Sequence, residues 1–399
     1  MFLEILFFLF GISIGVATGL IPGLHPNTIF AALVSFPFLL VYPFHLVLIF
    51  VVSLSITNTF LDFIPSIFFG APDPSGALSV LPGHRLLMEG KGYEALYLTV
   101  IGGLGATLLT AISFPLLLIF IPFLYSLIVP YIHILLILVV AFMIFLEKRL
   151  FALGAFLLAG FFGLLTLNSF PSGIVIFPAL TGLFGLSGLV ESFLSNTEMP
   201  KQTITKPTVS KKGIITGWFA GLLSGILPGI GSAQAGIISN SILKSKTRDF
   251  LTSLGGVNTA NIIFTFISLL TLGKTRSGAA WLMSQIHEIT LIDLINITTV
   301  AVISCLVAVL VTLKLGKFIV KRLDKINYKK VNVVVISILF ILIYIFTGFL
   351  GLLIGFVGMF IGLLTILSGV NRSHLMGFLL LPTILYFSGF NPVIFGFLF

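Results

Sequence analysis

Polar side chains interrupt two apolar stretches of this sequence: Thr57, Asn58, Thr59 and Asp62 in one, Asn258, Thr259 and Asn261 in the other. Their oxygens are of the kind that coordinates Na+, and such sets sit beside broken helices in secondary transporters. Asp62 is costly inside lipid if ionised, which makes it a candidate proton or cation site. Plain hydrogen bonding between helices is the alternative. Two Pro-Gly pairs, Pro22-Gly23 and Pro228-Gly229, must break any helix that contains them, because proline removes a backbone donor and glycine permits unusual dihedrals. Broken backbone at membrane depth is tolerated where it lines a cavity or is buried in protein. The residues after each bend, His25 and Asn27 in one case and Gly231 and Ser232 in the other, then sit where half-helix N-termini aim free amides at an anion. The loops 70–76 and 273–278 add Ser75 and Ser277, and the second carries Lys274 and Arg276. A cationic pair with a guanidinium fork suits a carboxylate; an ordinary loop charge pair is the plainer reading.

These residues need a scaffold, and composition says which. Of 399 residues, 58 % are hydrophobic and only 8 % charged. A water-soluble surface needs about a quarter of its residues charged, so most of this surface faces lipid. Apolar runs of about 20 residues recur along the chain, as spanning helices require, and no run of alternating polarity suggests a barrel. The N-terminal run lacks a preceding Lys or Arg and reads as retained structure, not a signal peptide. The net charge of +9 lies in short loops between apolar runs, which argues against nucleic acid and for cytoplasmic loops.

Other chemistries find little support. Cys305 is the single cysteine and reads as a buried thiol. The histidines have no metal-ligand spacing. Gly185-Leu-Ser187-Gly188 resembles an intramembrane serine-protease pattern but has no placed histidine partner. No Gly-rich loop ends in Lys-Ser or Lys-Thr, so no nucleotide site is expected. No cofactor is expected beyond Na+ or H+ as a coupling ion, and the chain is not expected to be an enzyme.

The chain reads as a duplication. The row Gly11, Gly15, Gly19 before Pro22-Gly23 recurs without a gap as Gly217, Gly221, Gly225 before Pro228-Gly229. Thr57 to Ala77 then matches Thr259 to Ala279, and Gly163-Leu-Leu-Thr166 matches Gly362-Leu-Leu-Thr365. Loops that are basic in one half are non-basic in the other: residues 36–45 lack Lys and Arg where 244–249 carries Lys244, Lys246 and Arg248, and 120–132 lacks them where 314–330 is strongly basic. The positive-inside rule then orients the halves oppositely. The expected fold is an all-α polytopic membrane protein of two inverted-topology repeats, each with a re-entrant helical hairpin and about five transmembrane helices; full-length crossings in place of the hairpins are the competing reading. Residues 1–195 form the first repeat with hairpin 1–35, residues 196–213 a cytoplasmic linker, and residues 214–399 the second repeat with hairpin 214–243. The crossings fall near 44–68, 95–119, 131–147, 150–168 and 174–193, then 250–272, 294–313, 332–346, 349–367 and 375–395. Both termini are then extracytoplasmic in a multi-pass protein of the cell membrane, and every Lys and Arg except Lys274 and Arg276 is cytoplasmic.

Gly15-Val-Ala-Thr-Gly-Leu-Ile-Pro-Gly-Leu24, its second copy at Gly221–Ile230, and the stretch from Gly70 to Ala77 followed by Gly83-His-Arg-Leu-Leu-Met-Glu-Gly-Lys-Gly92 resemble the TctA family, the large membrane subunit of tripartite tricarboxylate transporters. His25-Pro26-Asn27 follows the first bend where Gly-Pro is more usual. The resemblance implies ion-coupled uptake of carboxylates such as citrate, with an extracytoplasmic binding protein and a small membrane subunit as partners. The expected ligand is a small organic anion, a di- or tricarboxylate, held between the two Pro-Gly tips at mid-membrane. A homo-oligomer is compatible with the sequence and nucleic acid is not. The alternative is an intramembrane enzyme acting on a lipid-linked phosphate, a class that also uses inverted hairpins.

Overall fold

The computed structural model describes residues 2–21, 26, 29, 30, 33, 41–70, 80–145, 147, 149–194, 200–227, 231, 232, 235, 236, 238, 239, 246–323 and 328–390. In chain order its helices are α1 (Phe2–Leu20), α2 (Phe44–Leu61), α3 (Phe63–Phe69), α4 (Val80–Met88), α5 (Gly92–Ile128), α6 (Ile132–Phe145), α7 (Arg149–Ser169), α8 (Ser172–Leu180), a π-helical turn (Thr181–Leu186), α9 (Ser187–Leu194), α10 (Lys211–Ile226), α11 (Thr247–Leu272), α12 (Gly278–Ile286), α13 (Leu291–Leu323), α14 (Tyr328–Leu367) and α15 (Gly377–Phe387). Among the described residues, eight helical stretches are long and apolar enough to cross a membrane. The protein is an all-α polytopic membrane protein.

Two compact units form, and each takes one piece from either half of the sequence: Met1–Phe123 with Met199–Asn327, and Leu124–Glu198 with Tyr328–Phe399. In the first unit the α2–α3 run is the core, 94 % of its apolar window being buried. The break between α2 and α3 has a local cause. Pro65 has no N–H to give the Leu61 carbonyl four residues back, so the helix is interrupted at Asp62. The glycine rows are packing faces. A Cβ on Gly15 or Gly19 would stand 2.7 Å from Leu54 O or 2.5 Å from Leu61 Cβ, and one on Gly217 or Gly221 2.6 Å from Ser253 O or 3.0 Å from Ala260 Cβ. So α1 lies along α2, and α10 along α11, at backbone distance. α1 ends at Leu20 and α10 at Ile226, each two residues before its proline. The bends themselves fall outside the described residues, as do residues 34–40 and 240–245. The 16 residues of α10 reach about 24 Å, short of a core of about 30 Å.

Helices α5 and α11 approach closer still. A Cβ on Gly102 would overlap the Thr252 carbonyl, and one on Gly255 would overlap the Thr99 carbonyl. The contact is reciprocal and rests on a repeated string, Leu98-Thr99-x-x-Gly102-Gly103 and Leu251-Thr252-x-x-Gly255-Gly256.

Several connectors differ from expectation. Residues 120–128 and 314–323, read from the sequence as loops, are helical continuations of α5 and α13, which reach about 55 and 50 Å. In the second case Lys, Leu and Arg favour helix and no proline intervenes, so the run of positive charge does not mark a chain break. Residues 200–210 form an extended strap. Gln202 donates to Leu87 O at 2.9 Å and accepts from Gly92 N at 3.0 Å, and Thr203 N donates to Gly90 O at 2.8 Å. Gly90 has φ 76°, and a Cβ there would stand 2.6 Å from Lys201 O, so only glycine serves this turn. Thr205 donates to the buried Glu94, which also pairs with Arg248 at 2.6 Å.

In the second unit, α14 is too long to be one crossing. Gly348 has φ 66° and ψ −162°. The Ile343 side chain lies 3.5 Å from a Cβ built on Gly351 and 3.2 Å from one on Gly355. On a straight helix eight residues separate side chains by about 12 Å. The chain therefore reverses at Gly348 into arms 328–347 and 349–367, each about 30 Å long, as the pair of expected crossings requires. The second arm packs on α8, the π-turn and α9, where Gly362 sits against Leu183 O, while Gly163 of α7 sits against Phe378 O of α15. Ser187, from the protease-like tetrapeptide, donates to Leu183 O at 2.6 Å beside Gly362, a helix-packing role. Beyond the crossings, buried His374 lies 3.3 Å from Glu147. Burial pushes its imidazole below the ordinary histidine range, against the opposing pull of that carboxylate.

Candidate functional site

The first unit encloses a cavity of about 160 Å³ lined by Asn58, Thr59, Asn258, Asn261, Arg276 and Ser277, among others. That is room for on the order of ten waters or one small ligand. α2 supplies Asn58 and Thr59 with Ser55 one turn earlier. α11 supplies Asn258, Asn261 and Ile262. Ser277 caps α12, accepting from Ala280 N at 3.1 Å, and its hydroxyl meets Thr265 Oγ1 of α11 at 3.0 Å. The amide-rich faces of α2 and α11 and the start of α12 thus converge on one space.

Hydrogen bonds fix the walls. Asn58 Nδ2 donates to Thr18 Oγ1 of α1 at 3.2 Å, which leaves its carbonyl oxygen as the remaining acceptor. Thr59 and Thr259 meet hydroxyl to hydroxyl at 3.3 Å, so α2 and α11 touch at the two Asn-Thr pairs, Asn58-Thr59 and Asn258-Thr259. Asn258 Nδ2 donates to Asp62 Oδ2 at 2.8 Å and to Thr59 O at 3.3 Å. Asp62 is 2 % exposed and stands one hydrogen bond behind the Asn258 wall. Asn261 Oδ1 is buried without a protein partner at the cavity, an acceptor in want of a donor or a cation. Arg276 brings a guanidinium. Among the described residues the set is mixed: one cation, three amides, several hydroxyls, and a carboxylate behind them.

Most of the described residues singled out from the sequence are gathered here. Asn58, Thr59, Asn258, Asn261, Ser232, Arg276 and Ser277 line the cavity. Asp62 and Thr259 support it from behind through the bonds above. Thr57 is buried against Gly15, on the α1 side of α2. Lys274 is exposed and does not line the cavity, and Gly231 is also exposed, so the cationic pair divides between surface and cavity. Consecutive loop positions two apart point differently once Gly273, with φ 63°, ends α11 and turns the chain. Pro22, Gly23, His25, Asn27, Ser75, Pro228 and Gly229 lie outside the described residues. Sequence reasoning missed Pro26, Phe30, Ser55, Ile262 and Ala279. Ser55 was findable, since it shares the helical face of Asn58 and Thr59 at the i+3 and i+4 spacing. The others carry no polar signal.

The family model described as the tripartite tricarboxylate transporter TctA family matches residues 5–377. A protein of Methanocaldococcus jannaschii described as uncharacterized is 32 % identical over 401 aligned positions, which cover 96 % of this chain and 99 % of that one. No solved structure matches the chain.

Proposed function

The chain belongs to the tripartite tricarboxylate transporter TctA family, and from that premise we propose that it is a secondary permease for small organic anions, with carboxylate and coupling cation both bound in the cavity between α2, α11 and α12. The observation that carries this reading is the cavity itself: a guanidinium beside neutral amides and hydroxyls, with Pro26 and Ser232, which follow the two Pro-Gly pairs in sequence, also in its lining. Arg276, Ser277 and Ser232 take the carboxylate. Asn58, Thr59, Asn261 and the Asn258–Asp62 pair offer oxygens to Na+ or a site for a proton. The family is one of transporters, which favours this reading over an intramembrane enzyme.

In this reading the two halves are inverted repeats and the segments around the Pro-Gly bends are re-entrant. Two paired contacts support it: α1 on α2 beside α10 on α11, and Gly163 on Phe378 O beside Gly362 on Leu183 O. The orientation is tested with single cysteines in a Cys305→Ser background. Tyr42→Cys and Lys246→Cys are exposed positions. They should react with an impermeant maleimide from opposite faces of oriented vesicles. Labelling of both from one face would remove the inverted topology.

Transport is tested by uptake of radiolabelled mono-, di- and tricarboxylates into proteoliposomes, with the chain alone and with an extracytoplasmic binding protein and a small membrane subunit if these are its partners. Accumulation should require an inward Na+ or H+ gradient and collapse with the matching ionophore. Flux that ignores both gradients would mark a channel instead.

A further inference from the structure

Helix α13 is longer than the membrane it crosses. Between Asp293 and Lys314 it carries an uncharged run, residues 294–313, which as helix reaches about 30 Å, the thickness of the hydrocarbon core. Lys314 therefore stands at the edge of the core, and the helix continues to Leu323, about 14 Å further. This projecting end has two faces. Thr312, Gly316, Val320 and Leu323 are buried, and a Cβ on Gly316 would overlap the Leu96 side chain of α5. That packing fixes the rotation of the helix. Lys314, Lys317, Phe318, Lys321 and Arg322 are exposed and fall on the opposite face, within an arc of about 140°. The Arg322 guanidinium folds back by one turn: it donates to Phe318 O at 3.3 Å and lies 3.6 Å from the centre of the Phe318 ring. Its charge thus comes down to the level of Phe318, about 6 Å beyond Lys314.

We infer that this face is a binding site for the phosphate head groups of acidic phospholipids. Among the described residues no carboxylate pairs with Lys314, Lys317 or Lys321. Residues 314–330 hold seven basic residues against one acidic residue, Asp324, so the excess is positive whichever way Asp324 points. Head groups occupy a band of about 5–7 Å beyond either edge of the core. Lys314, Lys317 and the folded-back guanidinium of Arg322 lie in that band, and Lys321 reaches back toward it from the next turn. An ammonium and a guanidinium fork both suit phosphate oxygens. Phe318, 54 % exposed, offers its ring at the same level, where aromatic side chains meet the glycerol end of a lipid. The positive-inside rule accounts for the side of the membrane that basic residues take. It does not require them to gather on one face of a helix end whose other face is packed. Each basic residue near an acidic membrane surface strengthens binding about fivefold, and screening by salt reduces the sum for exposed charges.

The test uses the detergent-purified full chain titrated with dioleoylphosphatidylglycerol or dioleoylphosphatidylcholine, which share the phosphate and differ in net charge, with bound lipid read by native mass spectrometry. The wild type is expected to bind phosphatidylglycerol at least about tenfold more tightly than phosphatidylcholine. Lys314→Gln, Lys317→Gln, Lys321→Gln and Arg322→Gln together are expected to bring the two lipids within a few-fold of each other. The control combines Lys201→Gln, Lys206→Gln, Lys211→Gln and Lys246→Gln, four exposed charges elsewhere in the same compact unit, and should keep the wild-type preference. Unfolding temperature in detergent checks that both variants fold. Should the α13 variant not fold, Lys317→Glu alone inverts the central charge and is expected to lower the preference at least about fivefold. Equal affinity of the wild type for the two lipids would overturn the inference, as would a preference that survives the α13 changes. A loss as large in the control would also overturn it, by assigning the effect to diffuse positive charge. Displacement of phosphatidylglycerol by millimolar inorganic phosphate would mark a small-anion site and overturn the lipid as its occupant.

Discussion

Replacing Arg276 with alanine is expected to abolish carboxylate uptake. The guanidinium is the cation that lines the cavity among the described residues. A carboxylate drawn from water into this space gives up its hydration and recovers that loss through a charge-assisted pair. Truncating one partner of such a buried pair typically costs about 2–5 kcal/mol, which is roughly thirty-fold to several thousand-fold in affinity. Arg276→Lys keeps the charge but loses the fork, and should retain a weak, measurable uptake. Lys274→Ala should leave uptake within a few-fold, because Lys274 is exposed and stands away from the cavity. Uptake into proteoliposomes, with unfolding temperature as the control for folding, separates the three. An Arg276→Ala protein that transports normally would return the guanidinium to the role of an ordinary loop charge.

The second large effect concerns stability. Gly255→Leu and Gly102→Leu are each expected to destabilise the protein at the upper end of the range for overpacking, about 3 kcal/mol, and to eliminate uptake. At both positions the obstacle is a backbone carbonyl of the facing helix, Thr99 O or Thr252 O, and not a side chain that could turn away. The helices must separate, and separation shifts the face of α11 that carries Asn258 and Asn261. Gly154→Leu is the control: nothing stands within 4 Å of a Cβ there, so the change should be neutral or slightly stabilising through helix propensity. Thermal unfolding of the three variants in detergent reads the contrast. Equal unfolding temperatures would show that the α5–α11 contact is not tight in solution.

Membership in a tripartite family raises the question of what the large subunit does by itself. The described residues that line the cavity all belong to one compact unit, so binding of ligand can be tested on this chain by itself. A binding protein would then act on delivery, through capture and release at the membrane surface, and its addition should raise the rate of uptake more than the selectivity seen with the purified chain.

Much of the architecture was legible in the residues alone. Low charge and repeated apolar runs dictate helices in lipid, because each backbone donor must be satisfied within its own segment. Gly348 falls in the gap between two expected crossings, where glycine tolerates positive φ, whereas the break ahead of Pro65 lies inside an expected crossing and was not read from the sequence. The polar residues Asn58, Thr59, Asn258 and Asn261 stood out for the same reason, as groups that lipid does not tolerate without partners. Composition could not tell a loop from the continuation of a helix, and so the ends of α5 and α13 were misread. Nor could it say which polar group faces the cavity: Thr57 turns to α1 while its neighbour Asn58 turns inward, and Arg276 parts from Lys274. Those choices depend on which helix lies alongside, and that is settled by contacts between residues far apart in sequence, such as Thr99 with Gly255 and Thr59 with Thr259. Local chemistry determined the elements and their breaks. The packing of small residues against distant backbone decided how the polar groups meet, because in lipid, close fit and hydrogen bonding replace the hydrophobic effect as the force between helices.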